Sequence, residues 1–246
     1  MGKSRQKHLQ YNSPLTVTTQ FYDKEENMNK KIISAILAAS LLCAALSGCE
    51  QNNSSITEES SISISEIAET PASDFKYVYN EDLDGIVITE YTGYDYGVKI
   101  PSEIDGKKVI SLNHDLRNDC ITPPFLNNIK LVKVIIPESV IVIGDDIFTD
   151  CKNLKTVSLP KYIEEIKPYT FSGCKRLYSV TIPDSVCYVG EKAFEGCTSL
   201  TSLELPDSVK EIKDTAFLKC ENLTVTYKGE YYSYQNFDEL YKMINA

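Results

Sequence analysis

Residues 131–153 read LVKVIIPESVIVIGDDIFTDCKN, and residues 154–176 read LKTVSLPKYIEEIKPYTFSGCKR. Residues 177–199 read LYSVTIPDSVCYVGEKAFEGCTS, and residues 200–222 read LTSLELPDSVKEIKDTAFLKCEN. The four stretches align at a period of 23 without a gap. Leu131, Leu154, Leu177 and Leu200 open the units, and Pro137, Pro160, Pro183 and Pro206 follow an aliphatic residue in each. Phe148, Phe171, Phe194 and Phe217 form an aromatic column, and Cys151, Cys174, Cys197 and Cys220 a thiol column. A fixed period of this length is the signature of a stacked-repeat architecture.

Each column has a physical meaning. Leu-x-x-Val-x-Ile/Leu reads as a short strand whose apolar members point inward. Proline ends it, because it has no amide hydrogen to give to a ladder. A second apolar pair, such as Val140 with Ile143, forms the next edge of the coil, and the phenylalanine packs inside the following turn. One such coil cannot bury its own apolar face. Stacking coils about 4.8 Å apart closes the core.

The pattern resembles the leucine-rich-repeat superfamily. More narrowly, the run x-Ile-Pro-x-Ser-Val-x-x-Ile-Gly-x-x-Ala-Phe-x-Gly-Cys-x-x-Leu is similar to the BspA-like surface repeats of bacteria, in full over 131–222 and in part over the flanks. The resemblance implies a leucine-rich-repeat solenoid of the β-rich α/β type, with short strands and 3-10 or helical turns. It also implies surface exposure and, in some members, adhesion. It carries no catalytic residue, because its motif is a packing motif.

Outside the four units, residues 74–130 read as an N-terminal cap with a stretched first repeat, and residues 223–246 as a C-terminal cap. Phe125 stands six residues before Leu131, as Phe148 does before Leu154, which puts Asn128 in the thiol column. Ile100-Pro101 fits the strand-ending column but lies 36 residues before Ile136-Pro137. The surplus falls around Asp105-Gly106-Lys107-Lys108 and in a bulging loop at 113–124. Phe75 to Tyr91 alternates around Asp84-Gly85 and predicts a β-hairpin over the open end. At the other end Leu223 to Tyr227 is a last strand. Asn236 with Glu239 predicts a capping box opening a helix to about Ile244, with Phe237, Leu240, Tyr241 and Ile244 on the face that meets the final coil. Ten of the sixteen tyrosines lie in the two caps, where packing is the expected use.

The N-terminus reads as export sequence. Met28-Asn29-Lys30-Lys31, an apolar run from Ile32 to Ala45, and Leu46-Ser47-Gly48-Cys49 make a signal peptide over 28–48, too short to stay as a membrane span. The last four residues resemble a bacterial lipobox, which implies acylation of Cys49 and a lipid anchor on the outer face of the cell membrane. Residues 1–27 are polar and mixed in charge, and read as an upstream extension with Met28 as the natural start. Residues 49–73 are rich in Ser, Thr, Glu and Asn and read as a disordered linker, averaging roughly 27 Å end to end over its flexible part.

Composition excludes several classes of function. The chain carries 25 Lys and Arg against 35 Asp and Glu, a net charge of -10, and residues 49–246 retain 19 positive and 32 negative groups. Nucleic-acid binding calls for a basic surface, so nucleic acid is not an expected partner. The recurring cysteines read as buried small hydrophobes; their side chains point the same way and suit neither bridging nor zinc. Cys187 and Cys120 stand outside that column, and a bridge between them stays open. Asn80-x-Asp82-x-Asp84-Gly85 imitates a calcium loop, but its acidic Glu90 is one place short of the bidentate position, and a hairpin turn is the better reading. His114 is the one histidine after residue 48 and has no companion nucleophile. No metal, cofactor or enzymatic activity is expected.

The remaining candidate is a binding face. Outward strand positions give Lys133, Thr156, Ser179 and Ser202 in one row and Ile135, Ser158, Thr181 and Glu204 in the next, with the loop at 113–124 as the alternative surface. The leading reading is a non-catalytic adhesion or interaction module for an extracellular protein or glycan. The alternative is a structural envelope component that packs on itself or on the cell wall.

Overall fold

Pro137, Pro160, Pro183 and Pro206 each stand just past a short strand, where a residue without an amide hydrogen costs the ladder nothing. In a computed structural model of the chain, which describes residues 67–113 and 122–246, every 23-residue unit makes one coil with two such strands. From the N-terminus the strands are β1 (Phe75–Asn80), β2 (Gly85–Tyr91), β3 (Gly97–Lys99), β4 (Glu103–Ile104) and β5 (Lys107–Leu112). The four regular coils then give β6 (Lys133–Ile135) with β7 (Val142–Ile143), β8 (Thr156–Ser158) with β9 (Glu165–Ile166), β10 (Ser179–Val180) with β11 (Tyr188–Val189), and β12 (Ser202–Leu205) with β13 (Glu211–Ile212). The chain ends in β14 (Thr224–Tyr227), β15 (Glu230–Ser233) and helix α1 (Phe237–Ile244). The fold is a leucine-rich-repeat solenoid of about six turns.

Two parallel ladders run along it, each with one break in strand pairing, between β10 and β12 on the first and between β7 and β9 on the second. The first places Gly97, Lys133, Thr156 and Ser179 in register, and the second Glu165, Tyr188 and Glu211. The register step within the regular coils is the sequence period, so each column of the alignment becomes a row on the molecule. Between the ladders the chain turns through bonds from residue i to i−3, such as Cys151 N to Phe148 O at 3.0 Å and Leu154 N to Cys151 O at 3.0 Å. These are 3-10-type turns that do not extend into a helix among the described repeats. The column before the thiol needs a left-handed backbone: φ is 58° at Asn127, 57° at Asp150, 73° at Gly173, 68° at Gly196 and 61° at Lys219. Glycine fits there without strain, and Asn and Asp tolerate it.

Phe125, Phe148, Phe171, Phe194 and Phe217 are all fully buried, with successive ring centroids 5.3–5.7 Å apart. The stack does not stop at the regular units. Phe75 meets Tyr91 at 5.3 Å, Tyr91 meets Phe125 at 5.3 Å, and Phe217 meets Phe237 of α1 at 5.3 Å. The predicted hairpin and the predicted helix therefore both dock on the aromatic column.

The caps depart from expectation in three ways. Asn236 is the N-cap of α1, but its side chain makes no cap bond. Its Oδ1 instead accepts from Ser233 N at 2.7 Å and Ser233 Oγ at 3.2 Å, so the capping box with Glu239 is not formed. The reason is β15, a strand that pairs antiparallel with β14 through Lys228-Gly229 and whose last residue competes for that oxygen. The cap tyrosines also divide. Tyr91, Tyr227, Tyr232 and Tyr241 are buried and Tyr77 packs half-buried against the core, but Tyr79, Tyr94, Tyr96, Tyr231 and Tyr234 are exposed, so packing accounts for half of the ten. Finally, the step from β12 to β14 pairs Leu203 with Val225, 22 residues on rather than 23. The stretched first repeat does contain the expected insertion, an antiparallel β4–β5 hairpin turning at Asp105-Gly106.

Truncating the middle of the aromatic column tests its weight. Phe171→Ala is expected to lower the unfolding free energy by about 3–5 kcal/mol, since both neighbouring rings lose a partner and the coil cannot collapse around the gap. Urea denaturation followed by circular dichroism reads it; a loss under about 1 kcal/mol would show that the ring is not part of a packed stack.

Candidate functional site

The outward strand rows lie where the alternation puts them. Lys133, Thr156, Ser179 and Ser202 lie in successive coils, with Lys133–Thr156 and Thr156–Ser179 in direct register. Lys133 and Thr156 are half-buried, and Ser179 and Ser202 are exposed. Ile135 is half-buried and pairs with Ser158, and Ser158, Thr181 and Glu204 are exposed. The first row continues into Thr224 and Ser233, and the second into Thr226 and Tyr231. Those four lie beyond residue 222, where the one-residue slip hides them from a strict 23-residue alignment; the Thr-Val-Thr of β14 was the available signal.

At its C-terminal end this face is concave. A cavity of about 620 Å³ is lined by Asp184, Glu204, Leu205, Pro206, Asp207, Ser208, Thr226, Lys228 and Gly229. A second of about 270 Å³ adjoins it, lined by Tyr178, Ser179, Val180, Ser202, Leu203, Glu204 and Thr226. Glu204 and Thr226 belong to both. Together they make an open trough with a floor of small hydroxyls and backbone, a tyrosine at one end, and Asp184, Glu204, Asp207 and Lys228 at the other. The β14–β15 hairpin supplies its far wall.

The thiol column is chemically quiet. Each Sγ donates to the carbonyl of the phenylalanine one coil back: Cys151 to Phe125 at 3.0 Å, Cys174 to Phe148 at 3.0 Å, Cys197 to Phe171 at 3.2 Å and Cys220 to Phe194 at 2.9 Å. All four are buried and free. Burial pushes the Cys151 thiol up to about 12 and the Cys220 thiol to about 11, and raises Cys174 and Cys197 well above the usual thiol range. They are neutral donors, with neither the exposure nor the thiolate character of a nucleophile. Cys187 is half-buried and free, while Cys120 lies outside the described residues, as do His114 and most of the loop at 113–124. Cys49 and the segments 1–27 and 28–48 lie outside them too, with all but the last seven residues of the linker.

The calcium-like motif is used up internally. Asn80 Oδ1 accepts from the amides of Asp82 and Leu83, each at 3.0 Å, and fixes the hairpin turn. Asp84 accepts from Lys107 Nζ at 2.7 Å and from the Tyr79 hydroxyl. The Lys107 ammonium holds the Asp84 carboxyl below the usual range, and hydrogen bonding to Asp84 raises the Tyr79 hydroxyl. Among the described residues no group of three His, Cys, Asp or Glu side chains could hold a metal ion.

Comparison with known proteins agrees with this geometry. Residues 121–237 match six copies of the BspA type leucine-rich repeat region. A leucine-rich repeat protein of T. pallidum is 38% identical, with 64% of this chain aligned to 71% of that one at a TM-score of 0.58. The chain belongs to the BspA-type leucine-rich-repeat family. A leucine-rich repeat protein from Bacteroides ovatus is 20% identical over 65% of this chain and 53% of its own, with a TM-score of 0.45. A leucine-rich cell surface protein from Faecalibacterium prausnitzii is 24% identical over 67% and 55%, with a TM-score of 0.36. The chain thus spans about half the length of these last two. No curated protein matches it. No catalytic family matches either, and repeat proteins of this kind are typically non-catalytic and engage other proteins.

The thiols give a test with a sign. A group whose folded pKa is raised above its unfolded value near 9 keeps its proton in the native state while the unfolded chain loses it. Stability is therefore present below pH 9 and falls as pH rises through 9 towards 12. The urea midpoint should drop between pH 8.5 and 10, and a variant with Cys151, Cys174, Cys197 and Cys220 all replaced by Ala should show a shallower drop. In native protein, a maleimide followed by peptide mass mapping should label Cys187 and leave those four unmodified until denaturant is added.

Proposed function

We propose that this chain is a non-catalytic interaction module displayed on the outside of a bacterial cell, exported by the signal peptide at 28–48 and held by a lipid on Cys49. The binding face is the first ladder, with the rows Lys133, Thr156, Ser179, Ser202 and Ile135, Ser158, Thr181, Glu204 and the trough at their C-terminal end. The ligand class is an extracellular protein or glycan.

One observation carries the reading. The inward columns repeat because packing demands it, whereas the outward rows Lys133-Thr156-Ser179-Ser202 and Ile135-Ser158-Thr181-Glu204 change from coil to coil, on a backbone fixed by the coils beneath, and end in a trough bounded by Thr226, Lys228 and Gly229. A rigid concave surface that sets Asp184, Glu204, Asp207 and Lys228 beside the hydroxyls of Ser179, Ser202, Ser208 and Thr226 suits recognition. Likeness to cell-surface proteins of the same repeat type supports the location, and the lipobox resemblance supports the anchor.

Two measurements test it. Cells grown with labelled palmitate should incorporate label into the chain, and Cys49→Ala should abolish both the label and partition into detergent. For the face, the full chain should retain at least one member of a panel of purified extracellular proteins and glycans, and Ser202→Arg with Glu204→Arg should weaken that retention at least about tenfold, as expected for blocking a central contact. No retention, together with concentration-dependent oligomers in light scattering, would replace the module with a self-associating envelope component.

A further inference from the structure

The acidic chain carries a basic, aromatic edge. Where the turn after the thiol enters the first ladder, side-chain and backbone hydrogen bonds stack the same corner of successive coils. Asn153 Nδ2 donates to Ile129 O at 2.6 Å, and Thr198 Oγ1 and Ser199 N donate to Lys175 O at 3.3 and 3.2 Å. One step on, Val132 N donates to Tyr96 O at 2.7 Å, Lys155 N to Val132 O at 2.7 Å and Tyr178 N to Lys155 O at 3.2 Å. This corner gathers Lys130, Lys133, Lys152, Lys155, Lys175 and Arg176, six of the 25 cations of a chain whose net charge is -10. Lys155, Lys175 and Arg176 make no ion pair among the described residues, and Asp150 is 3.9 Å from Lys152.

Tyrosines line the same edge. Tyr96 is 69% exposed and Tyr178 55%, in one row with Val132 and Lys155 between them. Tyr94 is 77% exposed, with Lys130 Nζ 4.7 Å from its ring centroid. Exposed rings outside the core, as at Tyr96 and Tyr178, are recognition surface in waiting. At one strand spacing per coil, Tyr96 to Tyr178 spans roughly 14 Å along the solenoid axis.

We propose that this leading edge binds a linear anionic polysaccharide, its carboxylate or sulfate groups on the lysine and arginine row and its sugar rings against Tyr96 and Tyr178. The inference rests on the reading of the chain as a surface binding module and names its ligand class and the edge that takes it. Charge complementarity favours a polyanion, and the shape of the patch favours a linear one. A planar anionic membrane would also face the rest of a chain whose net charge is -10, and so would be repelled by most of the molecule. An acidic peptide would satisfy the cations but gives no role to three exposed rings.

The test uses the full chain on immobilised polygalacturonate (carboxylate) and chondroitin sulfate (sulfate), with dextran, poly-glutamate and anionic phosphatidylglycerol vesicles as comparators. Binding is expected to one or both charged glycans and not to dextran, and to weaken as salt rises from 50 to 300 mM. Lys175→Gln with Arg176→Gln, both exposed, should weaken it about tenfold. Tyr178→Ala should weaken it several-fold with the salt dependence unchanged, while Lys213→Gln, remote on the second ladder, leaves it intact. Equal binding to poly-glutamate with no effect of Tyr178→Ala, capture by vesicles instead of glycans, or no polyanion binding at all would overturn the proposal. If Ser202→Arg with Glu204→Arg abolishes retention of some other ligand while the lysine and arginine variants do nothing, the module stands and this assignment falls.

Discussion

A single coil of this chain cannot bury its own apolar face, and the rest of the structure follows from that constraint. Each unit presents a leucine, a second valine or leucine, an aliphatic pair and a phenylalanine to one side, and only the next coil can cover them. The phenylalanine stack makes the requirement visible, because its rings lie one above another at 5.3–5.7 Å with no side chain between them. The coils must also satisfy the backbone groups that turn inward at each corner. The thiol column does this. A cysteine is small enough to sit beside the ring and polar enough to donate to the carbonyl one coil back, so the same atom fills space and closes a hydrogen bond. Burial raises the thiol pKa and so keeps the donor proton in place.

A stack that depends on neighbours has a problem at its ends, where two ladders and one aromatic column all lose a partner. Four local devices answer it. At the N-terminal end Thr70 N donates to Lys99 O at 2.9 Å and its Oγ1 accepts from Lys99 N at 3.1 Å, which covers the first ladder, while the β1–β2 hairpin extends the second. At the C-terminal end β15 extends the first ladder, and Asn236 then takes both backbone groups of its last residue, Ser233. The second ladder ends on a side chain: Asn245 donates to Ile212 O at 2.8 Å and accepts from Ile212 N at 3.0 Å, as a further strand would. Closing edges in this way removes the templates on which repeat proteins aggregate.

The regular part was legible in the sequence because one physical rule wrote every column, and a rule repeated in successive units can be read without coordinates. Legibility fails where the rule stops. Asn236 and Glu239 have the spacing of a capping box, but the oxygen of Asn236 goes to Ser233, a partner set by the pairing of β15 and invisible in the local spacing. Thr224 and Thr226 belong to the outward rows yet sit one residue out of phase, because the last step is 22 residues long. The cap tyrosines were harder still. Tyrosine serves equally as a core filler and as a surface contact, and nothing in the sequence distinguishes buried Tyr232 from its neighbour Tyr231, which is exposed, except the alternation of a strand that the sequence did not announce.

That same division explains why the candidate site resists reading from repeats. Inward columns are constrained in every coil, so they vary little from one unit to the next. Outward positions sit on a backbone already fixed by the core, and replacing one of them disturbs neither ladder nor ring stack; substitutions there are close to independent of folding. Specificity can therefore accumulate only in rows that break the period. In this chain those rows are unequal. Small hydroxyls occupy the middle of the first ladder, carboxylates gather at Asp184, Glu204 and Asp207 near its C-terminal end, and cations with exposed rings gather along its leading edge in the earlier coils. An acidic solenoid that kept its surface only for solubility would have no reason to segregate charge along its axis. The separation gives the face a polarity along its axis, set by side chains that the packing of the coils leaves free to vary.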